Sequence, residues 1–366
     1  MQTKIHWISF TNFQKKQDTT EPSLKDGSFF SQFFQKKGNA MKIIPDSKIN
    51  EFKSFLDSHD FFYVIGHKDP DGDCVYSCIA LSKLLDKLHL EYQLLNAGPF
   101  KRNEISDKAE LFSSKAKFLT DQMREKSGLI ILDCSEIKRL GEIDGDFSNL
   151  DTYVIDHHLT ADVTENCIID SSSPATACLV QQIYEKIAGP LDYETAEYIF
   201  FAMSTDTGYF RFLGSDSSEV FLQTARLVSA GVNPRKMYDK ITGGKPYSTR
   251  KLLGILLNRA EKCFNDRLII TWETMEDTKK WGINGRDSDA LYSLLLACEG
   301  VEAVAFLRQD TENNCTAGLR SRDDIDVSSV ASHFGGGGHK NASGFSSETT
   351  LEKLIPELKA EFEKIL

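Results

Sequence analysis

The sequence predicts a two-domain α/β protein whose first half is built on a parallel sheet covered on both faces. Three observations lead there. Short runs such as Phe61-Phe-Tyr-Val-Ile65, Leu129-Ile-Ile-Leu132 and Tyr153-Val-Ile155 are continuously apolar and lack the polar alternation of a half-exposed strand. Helix-like segments separate them, which is the pattern of parallel strands joined by crossovers. The chain's 366 residues also exceed the ~250–300 at which a single core stops growing.

Taken in order, residues 1–40 are Phe-rich without a clear period and carry a charge of +3. They read as a poorly structured N-terminal extension. A regular pattern opens at Met41, with a helix over Ile49 to Leu56 and the first strand at Phe61 to Ile65. Asp73 to Leu88 forms a helix with most of its apolar residues on one side, followed by a strand at Tyr92 to Leu95. The Leu129 and Tyr153 strands follow, each ended by an Asp. Helices are expected at Ala175 to Ile187, Tyr193 to Met203 and Ser217 to Ala230, completing a domain over 41–232. Residues 233–250, with Asn233-Pro234 and Thr242-Gly-Gly-Lys-Pro246, read as a linker. A smaller α/β domain over 251–366 has a helix at Leu252 to Ala260 and strands at Leu268 to Trp272, Val301 to Leu307 and Cys315 to Leu319. Its other helices lie near Asp287 to Ala297, at Val327 to Phe334 and from Leu351.

Composition narrows the function. The net charge of −11 argues against a partner such as long duplex nucleic acid, held by displacing counterions from its phosphates. No apolar run approaches the ~20 residues of a membrane span and no export signal is recognisable, so a cytoplasmic location is expected, without membrane association. The eight cysteines lack the spacing of a disulfide framework and read as reduced thiols. Cys74 and Cys78 could form half a zinc site, but no second pair follows, and core packing is the better reading.

The chemistry is carried by acids and imidazoles where strands end. After the first strand comes Gly66-His67-Lys-Asp69-Pro-Asp71-Gly-Asp73, whose ordinary reading is a helix N-terminus capped by acids. Asp133 ends the Leu129 strand, Asp156-His157-His158 end the Tyr153 strand, and Asp206 follows an apolar helix. In open parallel sheets ligands bind beyond the carboxyl ends of the strands. Several carboxylates gathered there repel one another unless cations neutralise them. Mixed oxygen and imidazole donors favour two divalent cations, Mn²⁺ foremost, with Mg²⁺ and Co²⁺ as alternatives, over thiolate-bound zinc. Such a pair suits hydrolysis of a phosphoester. A Walker-type phosphate loop ending in Lys-Ser or Lys-Thr is missing, which argues against a P-loop nucleotidase.

Together His67, Asp71, Asp73, Asp133, Asp156-His157-His158 and Asp206 resemble the four motifs of the DHH phosphoesterase superfamily, over residues 61 to 210. The resemblance implies that His67 and Asp71 bind one ion, that Asp73, His157 and Asp206 bind the second, and that Asp133 bridges both. It further implies that His158 faces the substrate phosphate and that Asp156 orients the site. Many relatives carry Gly-Ser where this chain has Tyr76-Ser77, and the larger ring either narrows the pocket or faces the core.

In the second domain, Gly318-Leu319-Arg320-Ser321-Arg322 and Phe334-Gly335-Gly336-Gly337-Gly338-His339 resemble the DHH-associated substrate-binding domain of nanoRNases and cyclic-dinucleotide phosphodiesterases. A glycine run is most often a flexible loop. Here its amides are expected to approach a phosphate, with Arg320, Ser321, Gly336, Gly337, Gly338 and His339 contacting substrate. The resemblance places the active site in a cleft between the domains and allows a homodimer.

The implied activity is hydrolysis of very short oligonucleotides to 5′-mononucleotides, extending to 3′-phosphoadenosine 5′-phosphate. A cyclic di-AMP phosphodiesterase is the alternative. A nucleotide-binding regulator without catalysis is a third reading, against which stands the complete ligand set.

Overall fold

The computed structural model describes residues 41–117, 119–158, 166–282, 285–322 and 324–366, so the extension 1–40 lies outside the described residues. Two compact units divide between Met237 and Tyr238.

In the first unit the apolar runs form a five-stranded, wholly parallel sheet in the order β2-β1-β3-β4-β5. The strands are β1 (Phe61–Ile65), β2 (Glu91–Leu95), β3 (Ser127–Leu132), β4 (Asp151–Asp156) and β5 (Cys167–Ile169). Every residue of β1 and β3 is buried, as expected of strands covered on both faces. The cover differs between faces. Helices α1 (Asp46–Asp57), α2 (Gly72–Lys87), α3 (Thr176–Ala188), α4 (Tyr193–Asp206) and α5 (Ser218–Ser229) belong to this unit. On one face Phe52 and Phe55 of α1 pack on Tyr153 at ring distances of 4.8 and 5.3 Å. On the other, Phe61, Tyr63, Ile65, Leu129 and Ile131 are covered by Leu119, Leu140 and Phe147, which stand on loops and single turns.

The strand order reverses at β1: β2 lies on one side of it and β3 on the other. Register pairs Ile65 with Leu95 and Ile131, and Leu132 with Ile155. The carboxyl ends of β1, β3 and β4 therefore lie side by side at this switch point, where loops can open a crevice. Tyr76 faces away from it. Its ring is buried 4.3 Å from Phe201 and 5.7 Å from Tyr198, filling the space between α2 and α4.

The segment 233–250, expected as a linker, is mostly helical: α6 (Pro234–Thr242) and the start of α7 (Tyr247–Arg259) occupy it. Proline explains the difference. Pro234 is the first residue of α6 and Pro246 precedes α7, positions where the missing N–H costs nothing and the fixed φ favours a helical turn.

The second unit has a six-stranded mixed sheet in the order β10-β11-β9-β8-β7-β6. Its strands are β6 (Glu261–Cys263), β7 (Leu268–Glu273), β8 (Ala303–Thr311), β9 (Asn314–Ser321), β10 (Gly337–His339) and β11 (Ala342–Ser347). Only β7 and β8 pair in parallel. Residues from α9 (Val327–His333) and α10 (Leu351–Phe362) pack on one face, and from α7 and α8 (Ser288–Leu296) on the other. The glycine run, expected as a loop, enters the sheet: Gly337 to His339 form its edge strand, paired antiparallel with Ala342 to Gly344. Among the described residues no helix is long and apolar enough to cross a membrane.

Candidate metal centre

The residues singled out in the first unit converge at the switch point. Asp71 is the N-cap of α2, its Oδ1 accepting from the Cys74 amide at 3.0 Å, so the ordinary reading of this acid as a cap holds. The same oxygen lies 3.8 Å from His67 Nε2. Gly72 lets the turn close, because a Cβ there would strike Thr205 of α4. Asp73 is buried in the first turn of α2 but reaches across to another helix. Its Oδ2 accepts from the Thr176 amide at 2.6 Å, and its Oδ1 from the Ala177 amide and the Ser77 hydroxyl, both at 3.0 Å. Ala175, the N-cap of α3, offers no capping side chain, and Asp73 takes that part.

Asp133 stands between the two halves of the cluster. Its Oδ2 lies 3.4 Å from His67 Nε2, and its Oδ1 3.4 Å from His157 Nε2. The residue has a left-handed backbone, φ +59°, which costs a non-glycine residue about 1–3 kcal/mol and recurs at functional sites. Asp206, the last residue of α4, brings Oδ2 to 3.5 Å from His157 Nε2, and Asp73 Oδ2 lies 3.9 Å from the same nitrogen. Backbone carbonyls fix both rings. His67 Nδ1–H donates to Lys68 O at 2.8 Å and His157 Nδ1–H to Ser173 O at 3.1 Å, which turns each Nε2 toward the acids. His158 Nδ1 is bonded to Asp156 Oδ1 at 2.7 Å, and that oxygen also accepts the amides of His157 and His158.

The electrostatics are those of crowded acids. Burial, reinforced by Asp133 and Asp71, pushes Asp73 up to about 7 against the opposing His157 charge and Ala177 amide. Burial with Asp73, Asp71 and Asp133 pushes Asp206 up to about 9. Burial works to lower His157, but Asp133 and Asp73 outweigh it and raise the imidazole to about 10. His67 is likewise raised against its burial, chiefly by Asp133 and Asp71, and Asp133 is lowered against its burial by the two imidazoles. His157 Nε2 is buried and finds no hydrogen-bond partner among the described residues, although three carboxylates lie within 4 Å. Ligand atoms of Asp73, His157 and Asp206 lie within 4.8 Å of one another, as do those of His67, Cys74 and Asp133. An imidazole nitrogen among converging carboxylate oxygens is a donor set that fits divalent metal ions, the metal taking the place of the proton the acids hold there. Cys74 is a core thiol by contrast. Burial holds it well above the usual thiol range, and its Sγ faces the His67 carbonyl at 3.8 Å.

The second unit holds a cavity of about 470 Å³ lined by Tyr292, Phe306, Arg308, Gly318, Arg320 and Gly337, among others. The Arg320 guanidinium lies 4.8 Å from the Tyr292 ring centre. Of the expected substrate residues, Arg320 and Gly337 line this cavity. Gly337 has no atom within 4 Å of where its Cβ would be, whereas a Cβ on Gly336 would strike Gly344 and Phe345, and one on Gly338 the Ala342 carbonyl. Ser321 holds a turn, its hydroxyl donating to Ile325 O at 2.6 Å and accepting from Asn341 Nδ2 at 3.1 Å. His339 is exposed on edge strand β10.

Comparison with known proteins bears on both units. The model of the DHH family, N-terminal domain, matches residues 62–203, and that of the DHHA1 domain matches residues 265–366. The chain carries a DHH-family N-terminal domain and a DHHA1 domain. The bifunctional oligoribonuclease and PAP phosphatase NrnA of Thermus thermophilus is 29% identical over 307 residues, covering 83% of this chain and 87% of that one. NrnA of Mycoplasma pneumoniae is 24% identical, covering 81% and 90%. A probable manganese-dependent inorganic pyrophosphatase of Bacillus pumilus is 22% identical, covering 70% and 84%. The crystal structure of an exopolyphosphatase-related protein from Bacteroides fragilis shares the fold, with a TM-score of 0.75, 24% identity and coverage of 88% and 98%.

Three residues of the DHH-family centre escaped the sequence reading. Asn96 is buried and donates from Nδ2 to the His67 carbonyl at 3.0 Å while its Oδ1 accepts from the Gly98 amide at 2.7 Å. Thr176 donates its hydroxyl to Asp133 Oδ1 at 3.0 Å. Ser77 supports Asp73. Their one signal is position: Asn96 directly follows a strand's carboxyl end, and the other two lie at helix positions facing the acids.

Proposed function

We propose that the chain is a phosphoesterase using two divalent metal ions, Mn²⁺ in the first place, to hydrolyse very short oligonucleotides to 5′-mononucleotides and to dephosphorylate 3′-phosphoadenosine 5′-phosphate. The observation that carries this is the arrangement of Asp133, one carboxylate oxygen facing His67 and the other facing His157, in a chain most of whose length resembles NrnA. His67 and Asp71 would hold one ion, Asp73, His157 and Asp206 the other, and Asp133 both. When bound, the ions supply Lewis-acid polarisation of the phosphoryl group and a water acidified for attack.

The chain's own residues do the rest. Carbonyls of Lys68 and Ser173 accept from Nδ1 of the two imidazoles and turn each Nε2 inward, the nitrogen that would give up its proton to hold an ion. Asp156, itself fully buried, holds His158 through Nδ1–H, and Nε2 of this half-buried ring would donate to a substrate phosphate oxygen when the ring is the imidazolium, the form in which both nitrogens are donors. In the second unit, Arg320 supplies a cation for a phosphate and the Tyr292 and Phe306 walls a stacking surface for a base, in a cavity of nucleotide size. A panel supplemented with Mn²⁺ tests the reading: a dinucleotide, a 5-mer, 3′-phosphoadenosine 5′-phosphate, cyclic di-AMP and its linear form. Turnover of the dinucleotide and of 3′-phosphoadenosine 5′-phosphate is expected, and turnover of cyclic di-AMP alone would overturn it.

A further inference from the structure

A carboxylate that serves two ions must keep its plane in one orientation, and the terminal torsion of an Asp side chain is intrinsically broad and two-fold. Something outside Asp133 has to hold it. Its backbone, at φ +59°, fixes where the Cβ starts but not how the carboxylate turns. Its oxygens have different neighbours: Oδ2 lies 3.4 Å from His67 Nε2, while Oδ1 lies 3.4 Å from His157 Nε2 and 3.9 Å from His158 Nδ1. The remaining contact is the Thr176 hydroxyl, 3.0 Å from Oδ1.

Thr176 is fully buried and is the first residue of α3. A hydroxyl at a helix start commonly serves the helix's own unpaired amides. Here that duty is already filled, because Asp73 accepts the amides of both Thr176 and Ala177. The hydroxyl is thus free to donate sideways, in a charge-assisted bond to a carboxylate inside the cluster. Helix α3 consequently grips two of the acids at once, Asp73 through main-chain amides and Asp133 through one side-chain oxygen. The main-chain grip survives any substitution that keeps the helix, whereas the side-chain grip depends on this one hydroxyl.

We propose that Thr176 is a positioning residue that locks the Asp133 carboxylate in the orientation facing both halves of the centre. This rests on the reading that Asp133 is shared by two ions. Thr176→Val removes the hydroxyl at constant shape, Thr176→Ser keeps it, and Thr176→Ala is a second variant without it should the Val variant fail to fold. The readouts are Mn²⁺ binding by calorimetry and the electron paramagnetic resonance of the Mn²⁺-loaded protein, in which two ions sharing a ligand give an exchange-coupled signal. The wild type is expected to bind two Mn²⁺ with a coupled signal. Thr176→Val and Thr176→Ala are expected to lose about 10–100-fold in affinity at one ion, as when an outer partner of a ligand is removed, and to lose the coupling. Thr176→Ser should retain both. Wild-type affinity and coupling in a folded hydroxyl-free variant, or loss of both in Thr176→Ser, would overturn the proposal. A wild type that binds fewer than two Mn²⁺ would instead overturn the two-ion reading on which it stands.

Discussion

Asn96→Ala makes the sharpest demand on the architecture around His67. The side chain is buried and joins the loops that follow β1 and β2: Nδ2 donates to the His67 carbonyl at 3.0 Å and Oδ1 accepts from the Gly98 amide at 2.7 Å. Truncation leaves one carbonyl and one amide without these partners. The Cys74 thiol, 3.8 Å from the same carbonyl, is a weak substitute. Each unsatisfied buried group costs about 1–3 kcal/mol, so the loss should be about 2–4 kcal/mol after some relaxation. Urea unfolding of the metal-free protein measures it, provided the transition is analysed for the first unit. Because the turn carries His67, Mn²⁺ affinity should also drop by about 10–100-fold. Asn96→Asp separates the two bonds. It keeps an acceptor for Gly98 but sets a carboxylate oxygen against the His67 carbonyl, and it should be no more stable than Asn96→Ala. A loss below about 0.5 kcal/mol in Asn96→Ala, the level of an ordinary surface change, would refute the reasoning.

Two further outcomes follow from packing and charge. Tyr76→Ala should cost about 3–5 kcal/mol in urea unfolding, as large buried aromatics do, while leaving KM of the folded fraction unchanged, since the ring packs on Phe201 and Tyr198 rather than facing the acids. Arg320→Ala should raise KM for a dinucleotide more than it lowers kcat, because the guanidinium lines the second unit's cavity; steady-state kinetics decide, and a pure kcat loss would count against a binding role.

Much of the fold could be read from the chain because its strands are continuously apolar. Phe61 to Ile65 and Leu129 to Leu132 admit little else, and the helices between them carry apolar stripes. Short elements escaped. Cys167–Ile169 is three residues long and reads as a strand only because Val154 to Asp156 are there to pair with it. The glycine run was expected as a loop since glycine disfavours strands. The backbone of this run lies so close to β11 that a side chain at Gly336, just before the strand, or at Gly338 within it would collide with β11. The prolines at 234 and 246 signalled a break, whereas at the start of a helix the same ring favours the turn.

The acids of the centre were legible because each stands at the end of a strand or at one end of a helix, in spacings that resemble a known set of motifs. Their supports were not. Asn96 and Thr176 each reach the centre through one long-range hydrogen bond, to a carbonyl 29 residues away and a carboxylate 43 residues away. No local pattern encodes such a bond. A polar residue at a strand's end or a helix's start has a routine explanation as turn or cap, and only three-dimensional placement shows where its donor points. Ser321 makes the converse point, since a motif residue expected to touch substrate spends its hydroxyl on the Ile325 carbonyl.

In the proposed centre one carboxylate, that of Asp133, would be shared by two divalent ions at the ends of β1, β3 and β4. Mn²⁺ stoichiometry and dinucleotide hydrolysis, measured side by side on the wild type and on Asp133→Ala, test this claim most directly. Two bound ions and turnover in the wild type are predicted, with hydrolysis abolished and the circular-dichroism spectrum retained in Asp133→Ala. Undiminished turnover by the Mn²⁺-replete Asp133→Ala variant would contradict the claim.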